Sequence, residues 1–153
     1  MRLVVQRVRR AAVRVGSEAV GAIGPGALVL VGVGATDDGA TVDRMADKLL
    51  SLRYFTDATG RTNLSIGDVG GAFLVVSQFT LYADVRRGRR PGFTDAAAPA
   101  VAEPLVTRFA QRLRDAGHEV ATGRFGAEME VELVNDGPFT LALDAERDLG
   151  GGA

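Results

Sequence analysis

The sequence predicts an α+β fold with a mixed, largely antiparallel sheet. Three observations point there. The elements run in the order strands, helix, strand, helix, strands. Residues 27–33 and 72–76 are continuous apolar runs, which suit strands covered on both faces. Residues 42–52 and 101–116 repeat their apolar positions at helical spacing. A chain of 153 residues fits one domain and can bury a core without covalent staples.

Each element has its own reason. Residues 3–8 and 11–15 are Val-rich and separated by arginines, and residues 19–23 return after the Gly16-Ser17 turn as a hairpin partner. Gly24-Pro25-Gly26 is a second turn before the apolar run 27–33. Thr36, Asp37 and Asp38 are N-cap candidates for a helix carrying Val42, Met45, Ala46, Leu49 and Leu52 on one face. Residues 57–60 read as a turn and residues 63–71 as loop. The run 72–76 passes straight into polar Ser77-Gln78. In the second helix Ala102, Leu105, Val106, Phe109 and Leu113 form the apolar stripe. Pro104 is expected in its first turn and Gly117 at its stop. Residues 119–122, 128–134 and 139–143 read as the last strands. The polar and then glycine-rich residues 145–153 are expected to be a disordered tail behind a single domain spanning 1–144.

Composition excludes several chemistries. There is no cysteine, so there is no thiolate nucleophile and no disulfide. The single histidine, His118, rules out a histidine-rich metal site. A formal net charge of −1 gives no general attraction to nucleic acid, and DNA is not an expected partner. No apolar run reaches the roughly 20 residues needed to cross a bilayer, and residues 1–10 lack a signal-peptide layout. A cytoplasmic protein without membrane association is the expectation. Of the 18 basic residues, 17 are arginine, a side chain suited to phosphate.

Several constellations can be weighed. Gly32 and Gly34 between strand and helix resemble half of a dinucleotide fingerprint, with Asp57 about where a ribose-binding acid would stand. However, Asp37 occupies the third glycine's place, and only one βαβ-like unit exists. Ser77, His118 and an aspartate could be drawn as a triad, but no G-x-S-x-G elbow surrounds Ser77. Glu128, Glu130 and Glu132 alternate with Met129, Val131 and Leu133 and read as a solvated strand face. At Ser77-Gln78-Phe79-Thr80, polar groups end a buried strand. Such groups cost stability unless paired, so they mark either a functional site or a strand leaving the core with its hydroxyls capping a turn. Asn135-Asp136-Gly137-Pro138 interrupts two strand-like runs. The Gly137–Pro138 bond, on sequence alone, is expected trans. Arg86, Arg87, Arg89 and Arg90, around Gly88, form the densest basic stretch, either a phosphate-binding loop or a solvated one.

Taken together, Ser77-Gln-Phe-Thr-Leu81 and Asn135-Asp-Gly-Pro-Phe-Thr140 resemble the two signature motifs of the D-aminoacyl-tRNA deacylases. Gln6-Arg7-Val8, Gly88-Arg-Arg-Pro-Gly-Phe93 and Thr122-Gly-Arg-Phe-Gly-Ala-Glu-Met129 extend the resemblance over residues 1–143. Gly92 and Phe139 depart from the residues usual there, and neither carries a group assigned to chemistry. The resemblance implies an α+β protein with two main helices packed on one side, layered or barrel-like across a homodimer. It implies hydrolysis of the ester of D-aminoacyl-tRNA, and of glycyl-tRNA, with no cofactor. Ser77, Gln78, Phe79 and Thr80 would form the catalytic motif, with backbone N–H groups near Ser77, Gln78 and Phe79 for the oxyanion. Thr80 would position first and act as nucleophile second. Gly137 and Pro138, in cis, would clamp the D-substrate across the subunit interface. Phe125 and Met129 would line the pocket, Asn135 would support substrate binding, and Arg7 would brace the Gly-Pro carbonyls. Arg86, Arg87, Arg89 and Arg90 would hold acceptor-stem phosphates. A non-catalytic RNA-binding module and a nucleotide-binding protein remain the alternatives.

Overall fold

A computed structural model describes residues 1–150. It has eight strands, β1 (Arg2–Val15), β2 (Glu18–Ile23), β3 (Gly26–Gly32), β4 (Arg53–Thr56), β5 (Thr62–Ser65), β6 (Ala72–Ser77), β7 (Val120–Thr122) and β8 (Glu130–Asp144). Helices α1 (Gly39–Ser51), α2 (Pro99–Asp115) and α3 (Ala145–Asp148), with a 3-10 turn at Phe79–Tyr82, complete it. The mixed α+β class is as expected. The main sheet runs β2-β1-β3-β6-β7, with β8 on the other edge of β1, and β4-β5 stand apart. β1 pairs antiparallel with β2, β3 and β8, whereas β3-β6 and β6-β7 are parallel. The sheet curls nearly into a barrel. A Cβ at Gly21 of β2 would lie only 2.6 Å from the Thr122 carbonyl of β7, so glycine is what lets these ends approach.

The two apolar runs behave as predicted. In β3 and β6, alternate residues enter two different cores. Ala27, Val29, Val31, Phe73 and Val75 pack with Leu3, Val5 and the helices, while Leu28, Leu74 and Val76 pack with Val8, Ala11 and Val13 inside the curl. β1 changes parity between these cores. Leu3 and Val5 face one and Val8 the other, exposed Arg9 and Arg10 intervene, and Ala11 and Val13 follow Val8. The two strands read from sequence are therefore one strand with a register irregularity. Likewise 130–134 and 139–143 belong to one strand, β8, whereas residues 128 and 129, read as strand, lie before it.

α1 buries Val42, Met45, Ala46 and Leu49, and α2 buries Ala102, Phe109, Ala110 and Leu113. Fully burying each of the larger side chains contributes roughly 1.5–3 kcal/mol. Asp38 caps α1 by accepting from the Thr41 N–H at 2.9 Å. Gly117 (φ +94) ends α2 as expected, with Gly117 N–H donating to Arg114 O and His118 N–H to Leu113 O, a Schellman closure. Arg108 and Arg112 of α2 pair with Asp43 and Asp47 of α1 at 2.7 and 2.9 Å.

Four expectations need correction. α2 starts at Pro99, so Pro104 lies in the second turn rather than the first, on an exposed face where its ring meets solvent. Residues 63–65, read as loop, belong to β5, which pairs with β4. Residues 145–150, expected to be disordered, are ordered. Asp144 caps α3 by accepting from Glu146 N–H at 3.0 Å, and Arg44 donates to Leu149 O at 2.7 Å. The rest of that expectation, residues 151–153, lies outside the described residues. The Gly137–Pro138 peptide is cis, as the family resemblance implies, and not the trans form that sequence statistics alone favour.

Candidate active site

β6 ends at Ser77 because its ladder with β3 ends there, at the Val31–Ser77 pair. Gln78 N–H still donates to Val31 O at 2.7 Å, and the chain then tightens into the 3-10 turn Phe79–Tyr82. Period-2 alternation stops at that point. Gln78 and Thr80 meet instead through the turn, Gln78 Nε2 donating to Thr80 Oγ1. The turn lies close over the end of β3. A Cβ at Gly32 would stand 3.0 Å from Gln78 O and Leu81 Cβ, and one at Gly34 would stand 2.7 Å from Tyr82 Oη. The glycine pair is thus explained by this close packing, not by a nucleotide. Asp37 accepts from Gly34 N–H at 2.6 Å and from the Met1 amino group at 2.5 Å. Asp57 organises its own turn, accepting from Thr59 and Arg61 N–H at 2.8 and 3.0 Å.

The turn opens on a cavity of about 600 Å³. Ser77, Gln78, Phe79, Phe125 and Met129 line it, five of the residues picked from sequence, together with apolar Val31, Val33 and Val76 from the strand ends. Thr80 is exposed and does not line it. The N–H of Gln78 is committed to Val31, so the donors free for an anion at this turn are those of Phe79 and Thr80, which open the 3-10 helix.

The second motif lies elsewhere in the chain. Between the Val8–Asn135 and Gln6–Thr140 pairs, β8 advances five residues while β1 advances two, so Gly137 and Pro138 are thrown out in a bulge. The bulge is held from behind. Arg7, only 7% exposed, donates to Asp136 O at 2.9 Å, Gly137 O at 3.3 Å and Tyr54 O at 2.8 Å. Its guanidinium lies 4.6 Å from the Phe139 ring centroid. Asn135 Nδ2 donates to Arg7 O at 2.8 Å and Phe139 O at 3.0 Å, so it fastens the bulge. None of Arg7, Asn135, Gly137 and Pro138 lines the cavity. Ser77 pairs with Val31 and Val31 with Leu3, whereas Arg7 is four residues further along β1, about 13 Å at roughly 3.3 Å per residue.

The arginine segment is a hairpin pinned at its base, where Asp84 and Gly92 exchange N–H···O bonds of 2.7 and 2.9 Å. Gly88 (φ +67) provides a left-handed residue within it. Arg86 differs from its neighbours. Its fork donates to both carboxylate oxygens of Asp84 at 2.8 Å, and these hydrogen bonds hold the Asp84 carboxyl well below the usual carboxylate range. Arg87, Arg89 and Arg90 are exposed and form no salt bridge among the described residues.

Three residues were missed in the sequence. Arg2 donates to Leu81 O at 2.9 Å, lies 4.5 Å from the Tyr82 ring centroid and pairs with Asp144 at 2.9 Å, tying the site turn to β1 and α3. Tyr82 packs on Gly34, and burial raises its phenol far above the ordinary range. Phe93, quoted within a motif but given no role, packs edge to face on Phe79. An arginine heading an apolar strand was the only signal for Arg2. The weighed alternatives are placed too. His118 stacks edge-on against Phe73 with 5.2 Å between centroids, a boundary position. Glu128, Glu130 and Glu132 are all exposed. No helix among the described residues is long and apolar enough to cross a membrane.

A family model described as D-Tyr-tRNA(Tyr) deacylase matches residues 4–144. A D-aminoacyl-tRNA deacylase of Symbiobacterium thermophilum is 60% identical over 147 residues, 96% of this chain and 97% of that protein. Another from Clostridioides difficile is 51% identical over 147 residues, 96% of this chain and 99% of that one. Among solved structures, one described as a c-Myc DNA unwinding element binding protein matches with a TM-score of 0.89 at 40% identity, covering 94% of this chain and 98% of that one. A structure described as a "probable eukaryotic D-amino acid tRNA deacylase" matches with a TM-score of 0.83, over 93% of this chain and 97% of that one. At 20% identity this last likeness speaks for the fold alone.

Proposed function

Because the chain belongs to the D-Tyr-tRNA(Tyr) deacylase family and is a D-aminoacyl-tRNA deacylase, an ester hydrolase, we propose that it spares L-aminoacyl-tRNA by means of a site completed by a second copy of itself. The supporting observation is the separation of the two motifs. The cavity holds Ser77, Gln78 and Phe79, while the Gly137 carbonyl, fixed by Arg7, stands apart from it in the same chain. A homodimer that inserts each Gly137-Pro138 bulge into its partner's cavity joins them. The main-chain oxygens of the bulge then accept the α-amino group of a D-amino acid. The L-isomer cannot place amino group, side chain and ester together without a clash. Because backbone does the sorting, side-chain identity matters little, and glycine, which has no side chain to exclude, is also a substrate.

In the reaction, water adds to the ester carbonyl carbon, assisted by the substrate's neighbouring 2′-hydroxyl. The oxyanion is met by the free N–H groups of Phe79 and Thr80. The bond to the ribose oxygen then breaks, and that oxygen takes the proton. Removing one such donor typically costs about 10²–10³ in rate. Thr80 orients Gln78 first and is a nucleophile only second, its hydroxyl accepting from that amide. Phe125 and Met129 shape the pocket for the terminal adenosine, and Asn135 supports it through the bulge. Arg87, Arg89 and Arg90 meet phosphates, with Arg86 stiffening their hairpin. Such a protein works in the cytoplasm, where aminoacyl-tRNA is found, and needs no cofactor for this chemistry.

The test compares release of tyrosine from D-Tyr-tRNA and L-Tyr-tRNA, with glycyl-tRNA as a third substrate and light scattering for the oligomeric state. Rapid release from the D-form by a dimer is expected. Equal rates for both isomers would end the proposal. Replacing Arg89 and Arg90 together by alanine should weaken tRNA binding and flatten its salt dependence by about 0.7–0.9 for each phosphate no longer neutralised.

A further inference from the structure

We infer that Phe79 and Phe93 form a stacking platform for an unpaired RNA base 5′ to the terminal adenosine. The protein then grips the single-stranded end of its substrate beyond the nucleotide that carries the amino acid. This rests on the reading of the cavity as the aminoacyl site and extends it outward.

Phe79 is 56% and Phe93 37% exposed, although both line the cavity mouth. They meet edge to face, with centroids 5.0 Å apart and planes at 68°. Each ring therefore keeps apolar surface in water, which folding alone does not favour. The platform is also rigid. Phe93 O accepts from Ala96 N–H at 3.1 Å, Asp95 O from Ala35 N–H at 3.0 Å, and Ala97 N–H donates to Val33 O at 2.9 Å. These bonds fasten the segment after Phe93 to the end of β3. Phe79 is fixed by the site turn itself.

Charge beside the rings selects the occupant. The arginine hairpin closes at Gly92, directly before Phe93, and carries the guanidiniums of Arg87, Arg89 and Arg90, which form no salt bridge among the described residues. The chain as a whole is at −1, so this cationic patch is local. An apolar peptide would satisfy the rings and leave the arginines idle, and an acidic peptide the reverse. Single-stranded RNA supplies a flat base and a phosphate in each nucleotide, which matches rings and cations side by side. On the parent reading the substrate also passes here, because both rings line the cavity that takes the aminoacyl end and remain partly exposed to solvent.

The experiment is a cycle of protein and RNA changes. The probe is an RNA hairpin with an unpaired 3′ end carrying a D-tyrosyl group through a non-hydrolysable amide. Its upstream unpaired nucleotides are made abasic one at a time, and affinity is read by fluorescence anisotropy. For the unmodified protein, loss of one particular base should weaken binding about tenfold, the scale of a base–aromatic stack. Phe93→Leu should weaken binding of the intact RNA similarly, and loss of that base should then change affinity less than twofold. Phe93→Tyr should restore the dependence on the base. Independent, multiplying losses would overturn the inference, as would leucine serving as well as tyrosine. A shift in oligomeric state for Phe93→Leu without any change in the base's contribution would also overturn it, by assigning the ring to the interface between copies. Failure of the unmodified protein to release D-tyrosine would refute the parent reading instead, and is measured separately.

Discussion

Replacing Arg7 by methionine tests whether the second motif is held rigid for a purpose. Methionine keeps most of the stem's length and volume and removes the fork. The Tyr54 carbonyl is buried and sits at a register shift of β4, so Arg7 is its donor. Leaving that acceptor unpaired costs about 1–3 kcal/mol. The carbonyls of Asp136 and Gly137 lie nearer the surface and would turn to water, each losing roughly 0.5–1.5 kcal/mol of net hydrogen bonding. The 3.3 Å pair between Arg7 and the Asp136 carboxylate adds little, because Asp136 is 39% exposed and screened. The total is near 3 kcal/mol after the apolar gain of methionine, and at roughly 2–4 °C per kcal/mol the melting temperature falls by about 6–12 °C. Arg9→Met is the control. That side chain is 76% exposed and 3.9 Å from Asp136, so its loss should stay within about 0.5 kcal/mol. Both are measured by urea unfolding at one protein concentration, since a dimer's stability depends on it. D- and L-tyrosine release are measured at a temperature where Arg7→Met remains folded. The discrimination should narrow in Arg7→Met and persist in Arg9→Met. Equal unfolding midpoints for the two variants, or full selectivity without Arg7, would refute the brace.

Three further outcomes follow from local geometry. The Arg108 fork lowers the Asp43 carboxyl below its ordinary value of 3.8, so the pair's contribution is complete above that value and disappears as pH falls through the depressed one. Arg108→Gln should therefore be less stable than the natural chain at pH 7 and converge with it in strong acid, as followed by circular dichroism melts across pH. Gly26→Ala should yield no soluble folded protein, because the new Cβ would lie 1.8 Å from Ala72 O, whereas Gly24→Ala, with nothing within 4 Å, should express normally. The Tyr54 hydroxyl is buried without a partner among the described residues, and burial keeps it neutral far above the usual phenol range. Tyr54→Phe should then leave stability unchanged or raise it by up to ~1 kcal/mol in urea titrations.

Sequence reading succeeded where one physical requirement dominates a segment. The runs at β3 and β6 are apolar because both faces are covered, and Ser77-Gln78 stands out because polar groups interrupt such a run. It failed where pairing, not pattern, makes the element. β4 and β5 are four residues each, and β4 buries two adjacent aromatics, Tyr54 and Phe55, so no period marks them. Arg9-Arg10 and Gly137-Pro138 read as breaks, yet the ladder between β1 and β8 spans both by slipping register. Gly32 and Gly34 suggested a phosphate loop because a sequence cannot say that Leu81 and Tyr82 will press on them. Phe93 and Arg2 act singly at the ends of elements, where no periodicity can single them out. The arginine stretch was legible as a charge cluster, but not that Asp84 would neutralise one member and leave three.

β1 also fixes what a complete site requires. Its one backbone carries the pairing that positions Ser77 at one end and the pairing that positions the bulge at Val8–Asn135. Gly137, held by Arg7 at the Val8–Asn135 end of β1, does not line its own chain's cavity. On the proposed reading, a two-fold axis instead gives each cavity its partner's bulge, so every site draws one half from each copy. Mixing two defective chains tests this directly. Gln78→Ala impairs the cavity and spares the bulge, while Arg7→Met does the opposite. After co-refolding in equal amounts, half of the dimers are mixed, and each has one site with both halves sound, about a quarter of all sites. Activity on D-Tyr-tRNA should rise towards that fraction of the natural chain's, well above the mean of the two variants alone. If both halves act within one chain, every site in the mixture keeps a defect, and no gain on mixing would remove the shared site from the account.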